Sequence, residues 1–442
     1  MKKVIVIVVL ALAMLMLVST VGAAPTTYNS GFQVQNLSSN PAQVSIVFYN
    51  QNGSMAHELP DTIPANGSNT YFPLPAGVAA GFNGSVVISS NEPVAAIANV
   101  LGDGFNFGAS YGGFDAGAGV ISLPLIMKGN AGQYDTWFNV QNTGSAPTNV
   151  TVNYSGGCTE SFNGLAPGAA RTFDQRQNTC LTSPYVGAAT VTASAGGEIV
   201  ATVIQTGNRT LYAYNGFTGG AADPVMPLVQ FNNVGYHTGI QIQNIGASST
   251  NVTVSYTPAA GQPGTACTET QTVAAGASGT FGLFAFSLNG QTNSTCTFGQ
   301  RFVGSAQVTA NSAGNNLVAI VNQTNFTNYG SSYNGFDPAS ATEKLVMPLI
   351  MDRNAGFYTG FNLMNVGPAA TVNCTFSNSG YTVNAPLPTG AAINDLQLGK
   401  IANGYVGSAT CMAPGGKIIA VVNELGNSTT ADLLFTYEGF NQ

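Results

Sequence analysis

Three pairs of cysteines carry the clearest chemistry in this sequence: Cys158 and Cys180, Cys267 and Cys296, Cys374 and Cys411. Thiols either pair with each other or hold a metal. Zinc asks for ligands at short spacing, Cys-x-x-Cys or a Cys–His cluster, and the chain has neither. The pairs fall one to a repeat in the last three of four repeats. We therefore expect three internal disulfides, each worth roughly 3–4 kcal/mol through the unfolded state, in an exported protein. The two histidines, His57 and His237, have no Cys, Asp or Glu at ligand spacing and read as strand-end residues. Carboxylates are sparse. Asp103, Asp115, Asp337, Glu343 and Asp352 sit near turns, but no Asp-x-Asp-x-Asp calcium loop occurs. No Gly-x-Ser-x-Gly stands between a strand and a helix, the context that makes it a nucleophile elbow. The expectation is no catalytic residue, no cofactor and no metal. Asn36, Asn66, Asn83, Asn149, Asn251, Asn322 and Asn427 head Asn-x-Ser/Thr sequons and are candidate acceptors for N-linked sugar.

The elements that hold these residues recur. A strand of alternating apolar and polar residues ends in Asn36, Asn142, Asn244 and Asn365. A second marker, Tyr-x-Gly-Phe, begins at Tyr111, Tyr214, Tyr333 and Tyr437 and reads as an aromatic anchor of the tyrosine-corner kind. Both return at intervals of about 102–121 residues, the size of whole domains rather than of solenoid repeats. Between the markers, alternation of period two puts Phe138 and Val140 on one face, then Val150, Val152 and Tyr154. Strands with turn signals between them, and no amphipathic helix, indicate β-sandwiches. Ahead of the first marker in three repeats stands an apolar seam: Ile121 to Ile126, Val225 to Val229, Val346 to Met351. Trp137, the sole tryptophan, stands where the other repeats have Gly and points opposite Phe138.

Lys2 and Lys3, an apolar run from Val4 to Val18 and small residues up to Ala24 read as a secretory signal peptide cut after Ala23. The boundaries follow: signal peptide 1–23, then sandwiches over 24–119, 120–222, 223–343 and 344–442. Without the two lysines, 9 of the 11 basic residues remain against 18 acidic ones, a net charge of −9. There is no basic patch for nucleic acid. Charged residues make up only 7% of the chain, far below the roughly 25% of ordinary soluble domains, so little repulsion keeps neighbouring copies apart.

The strand-Gln-Asn-x-Gly ending, Asn-Val-Thr-Val, Leu-x-Pro-Gly-Ala and Val-Gly-Ser/Ala-Ala together resemble bacterial immunoglobulin-like surface modules of the CARDB and NEW3 sort. They are also similar to tandem repeats of secreted proteins from Chloroflexi-type filamentous bacteria. The resemblance implies seven-stranded sandwiches displayed outside the cell, in adhesion, scaffolding or as accessories to enzymes. In the last repeat, Cys374 and Cys411 fall at inward positions, so a bridge across the core, as in immunoglobulins, is expected there.

The fold expectation is therefore all-β, four tandem immunoglobulin-like sandwiches in an elongated, non-enzymatic protein of the cell exterior. The leading function is a self-assembling filament, sheath or surface-layer subunit; an adhesin or glycan-binding accessory touching the cell envelope is the alternative. Three seams serve four sandwiches. If a seam opens the sandwich after it, the first lacks a strand; if it closes the one before, the last does. An unpaired edge of that kind, covered by residues 24–30 or by another copy, would be the route to a homo-oligomer.

Overall fold

The computed structural model describes residues 25–207, 209–282, 293–311, 316–428 and 430–442; the expected signal peptide lies outside them. The fold is all-β, built from antiparallel sheets, with one short 3-10 turn, Pro338–Ser340, among the described residues.

Unit one contributes β1 (Tyr28–Asn36), β2 (Ala42–Asn50), β3 (Met55–Ile63), β4 (Ser68–Tyr71), β5 (Gly84–Ser90), β6 (Val94–Gly102) and β7 (Phe107–Gly112). Unit two has β8 (Val120–Lys128), β9 (Asp135–Asn142), β10 (Thr148–Tyr154), β11 (Thr159–Leu165), β12 (Ala170–Asp174), β13 (Tyr185–Ala193), β14 (Ile199–Gly207) and β15 (Thr210–Asn215). Unit three has β16 (Val225–Phe231), β17 (His237–Asn244), β18 (Thr250–Pro258), β19 (Cys267–Val273), β20 (Ser278–Phe281), β21 (Phe302–Ala310), β22 (Leu317–Thr324) and β23 (Gly330–Asn334). Unit four has β24 (Lys344–Asp352), β25 (Phe357–Asn365), β26 (Ala370–Phe376), β27 (Thr382–Leu387), β28 (Ala392–Leu396), β29 (Tyr405–Met412), β30 (Ile418–Gly426), β31 (Leu434–Glu438) and β32 (Phe440–Asn441).

Each unit is two facing sheets. In unit two they run β11-β10-β13-β8 and β12-β9-β14-β15, and units three and four repeat the order, with β32 added outside β24. The seams are thus β8, β16 and β24, and each pairs with a strand of the unit that follows it in sequence: β13, β21 and β29. Each seam opens a sandwich. Counting the seam, units two and three have four strands in each sheet, and unit four five and four, rather than the seven in all implied by the resemblance. Unit one has β4-β1-β6-β7 opposite only three strands, β3-β2-β5.

The alternation read from sequence fills the gap between sheets. Phe138 and Val140 meet Val150, Val152 and Val191, all 0% exposed. The strand-ending asparagines lock one end of each sandwich. Asn142 Nδ2 donates to the carbonyls of Ala146 and Leu165 while its Oδ1 accepts from Gly144 N–H, and Asn36, Asn244 and Asn365 do the same in their units.

The units do not form an elongated string. The last strand of the second sheet in every unit, β7, β15, β23 and β31, turns inward, and the four pack side by side around one axis, with β31 closing back on β7. The backbones come close enough that glycine is required: a Cβ on Gly330 would stand 2.4 Å from the Tyr212 ring, and one on Gly108 2.1 Å from the Phe435 ring. The elongated shape expected from tandem repeats is corrected to a closed ring of four.

Candidate functional site

The seam and the Tyr-x-Gly-Phe marker turn out to be two halves of one device. Proline cannot donate to a ladder and is tolerated in a strand at a bulge. The register of β8 against β13 slips between Gly187 and Ala189, at Pro124-Leu125. The same slip falls at Pro227-Leu228 and Pro348-Leu349. A bulge frees backbone groups inside the sandwich, and the marker tyrosine takes them. Tyr214 donates its hydroxyl to the Leu125 carbonyl at 2.7 Å and accepts from Leu125 N–H at 3.2 Å. Tyr333 binds the Leu228 carbonyl, and Tyr437 the Leu349 carbonyl and N–H. The glycine of the marker lets the seam approach, since a Cβ on Gly216 would be 2.4 Å from Ile121. The phenylalanine then pairs with the seam through Phe217–Ser122 and Phe336–Val225 bridges.

Unit one carries the marker, Tyr111 to Phe114, with no seam strand among the described residues. Among the described residues β5 has one neighbouring strand, β2, and its other edge is bare. Val86 and Ile88 of β5 stay half-buried, whereas their counterparts Ala189 and Val191 in β13 are 1% and 0% exposed. The N–H of Asn91 bonds Gln43 of β2, so alternation along the strand turns the N–H groups of Ser90, Ile88 and Val86 toward the open side. The residues expected to cover this edge lie elsewhere. Pro25 packs against Gly102, and Thr26 and Thr27 bond Asp103, on the opposite sheet.

The neighbouring unit differs from the others at the matching joint. In units three, four and one, Ile320, Val421 and Ile97 reach into the core of the preceding unit beside its seam. Unit two, which follows unit one, has the half-buried Thr202 at that place. Trp137 packs with Val100, Ile204 and Leu211 in an apolar cluster shared by units one and two, edge-on to Tyr28 with ring centroids 5.8 Å apart.

The cysteines join as Cys158–Cys180, Cys267–Cys296 and Cys374–Cys411. The last does not cross the core. Cys374 and Cys411 are direct register partners on β26 and β29, neighbours in one sheet. Both side chains face inward, and a shared inward face is all that the alternation encoded. Two of the sequon asparagines are engaged within the fold. Asn36 is 0% exposed with its amide fully bonded, and Asn322 spends both ends of its amide on Gln205. Asn66, Asn83, Asn149, Asn251 and Asn427 are exposed.

His57 is half-buried against Phe48. His237 accepts from Asn232 N–H and lies by Phe326, and burial pulls its pKa below the usual value. The carboxylates serve backbone N–H groups: Asp103 those of Thr26 and Thr27, Asp337 that of Ala339, Glu343 that of Gly415, and Asp352 those of Gly399 and Ile401. Among the described residues no three His, Cys, Asp or Glu side chains gather, and no helix is long and apolar enough to cross a membrane.

Sequence reasoning missed the polar network that closes the ring, because its members look like surface amides. Gln205 pairs with Asn322 through both amide ends, Gln323 with Asn423 likewise, and Glu424 accepts from Asn99 at 3.4 Å. One carboxylate ties the whole together. Asp432 of unit four donates its N–H to the Asn106 carbonyl of unit one, and its oxygens accept from Leu211 N–H of unit two and Gly330 N–H of unit three. Neither a known family model nor a curated protein matches the chain.

Proposed function

We propose that this chain is a non-enzymatic structural protein of the cell exterior whose copies join through the open edge of β5, the first step in building a filament, sheath or surface layer. The observation that carries the reading is the bare edge itself: in three units that position holds a seam, and in unit one the described residues place nothing there. A strand edge with unpaired N–H and C=O groups recruits another strand, and a second copy brings an identical β5 edge. Antiparallel pairing of β5 with its counterpart sets a strand where β8 stands against β13. Such a contact is isologous and closes a pair, so an extended lattice uses a further contact between pairs. The three disulfides and the low charge support an extracellular, associating protein.

The repeat supplies its own test. In unit four, residues 344–356 lead straight into β25. Copying them directly ahead of Tyr28, in place of residues 25–27, would give unit one a seam with a bulge for Tyr111 to clamp. The native chain should sediment as a pair or larger and the seam-bearing variant as a monomer. A native monomer, or equal assembly by both chains, would overturn the reading.

A further inference from the structure

The joint between the first and last units holds a cleft. It has a volume of about 180 Å³ and is walled by Phe32, Phe72 and Phe105 from unit one and Met351, Phe357 and Phe435 from unit four. Phe72 and Phe105 meet edge to face at the mouth, centroids 6.0 Å apart, and are 45% and 54% exposed. Phe357 and Phe435 form a second such pair, also at 6.0 Å.

The wall carries one acid. Glu424 is 2% exposed. It occupies the place held in units two and three by Gln205 and Gln323, whose amides are satisfied at both ends by the asparagine across the joint. An ionised carboxylate, the form a bound cation would face, cannot reproduce that pairing, because it has no donor. Asn99 gives it one long bond at Oε2, the Asn99 oxygen is taken by Ser110, and Oε1 has no partner among the described residues. No lysine or arginine lines the cleft. The titratable group that senses Glu424 from the adjoining strand is Tyr437, whose hydroxyl is committed to Leu349.

An unpaired buried acceptor beside aromatic faces is matched by one ligand chemistry. We propose that this cleft binds a small apolar cation, an ammonium group carried on an aromatic or aliphatic body. The ammonium donates to Glu424 Oε1 and lies against the negative faces of the phenyl rings, while the body fills the apolar wall. The reading is independent of β5, which lies in the other sheet of unit one.

With no cation present, burial pushes the Glu424 pKa up to about 8, and Asn99 opposes this only in part. Below about pH 8 the carboxyl holds a proton that an entering cation must displace. The test uses 2-phenylethylammonium and its neutral counterpart 2-phenylethanol, by titration calorimetry on the intact chain in buffers of different ionisation heat. The amine should bind at least about tenfold more tightly than the alcohol, release close to one proton per site below about pH 8, and lose that preference in Glu424→Gln, a change that keeps the shape and leaves alcohol binding as it was. Equal affinity of amine and alcohol, an unaltered preference in the Gln variant, or no binding of the amine at millimolar concentration would each overturn the proposal.

Discussion

Tyr214, Tyr333 and Tyr437 hold carbonyls that the Pro-Leu bulge has taken out of the sheet, and Tyr111 has no such duty. The same substitution at equivalent places should therefore cost different amounts. Tyr437→Phe leaves the Leu349 carbonyl buried and unbonded, a loss of about 1–3 kcal/mol, whereas Tyr111→Phe should stay within about 0.5 kcal/mol; thermal melts of the two variants decide it. Glu424 should set the pH dependence of stability. Its folded pKa of about 8 exceeds the ordinary 4.5, so the folded chain keeps a proton that the unfolded chain gives up. Stability then falls as pH rises from about 4.5 to about 8, by as much as roughly 5 kcal/mol. Glu438, raised to about 7 by burial, adds to the fall in the same direction. Denaturant midpoints of Glu424→Gln should show a shallower decline; an unchanged slope would mean the carboxyl is solvated. At this scale the sequence was only partly readable. Asn36 carries a valid sequon, and nothing in Asn-Leu-Ser says that the amide is spent inside a turn.

Among the elements, the strands were legible because each buries one face: Phe138 and Val140, then Val150, Val152 and Tyr154, alternate with polar residues as a half-covered sheet demands. The seam was not assignable, since β16 is apolar on both faces and is buried throughout. A strand covered on both sides shows no alternation from which to read its partner. The Cys374–Cys411 bridge shows the same limit. Alternation fixes which face a side chain takes, but not whether two inward residues belong to facing sheets or to adjacent strands. Thr202 is the telling exception. Beside Ile320, Val421 and Ile97 at the same place in the other units, it is the polar residue at the joint that follows unit one, a difference legible only once the register places the four together.

The whole molecule is where reading by repeats went furthest astray. Tandem modules suggest a string because linkers are local, while closure rests on pairs such as Gln33 Nε2 with the Pro348 carbonyl, 2.9 Å apart and 315 residues distant in sequence. Small-angle scattering of the seam-bearing monomer should give a radius of gyration of about 22 Å, the value for a compact chain of this length; four sandwiches in a line would exceed about 40 Å. Asp432→Ala, by leaving Leu211 and Gly330 N–H buried without an acceptor, should cost about 3 kcal/mol or more and raise that radius. A ribosome delivers unit one first, and Ile97, which ends at 2% exposure inside the core of unit four, gains that cover only once unit four has been made. A chain that lacks unit four should therefore leave Ile97 exposed.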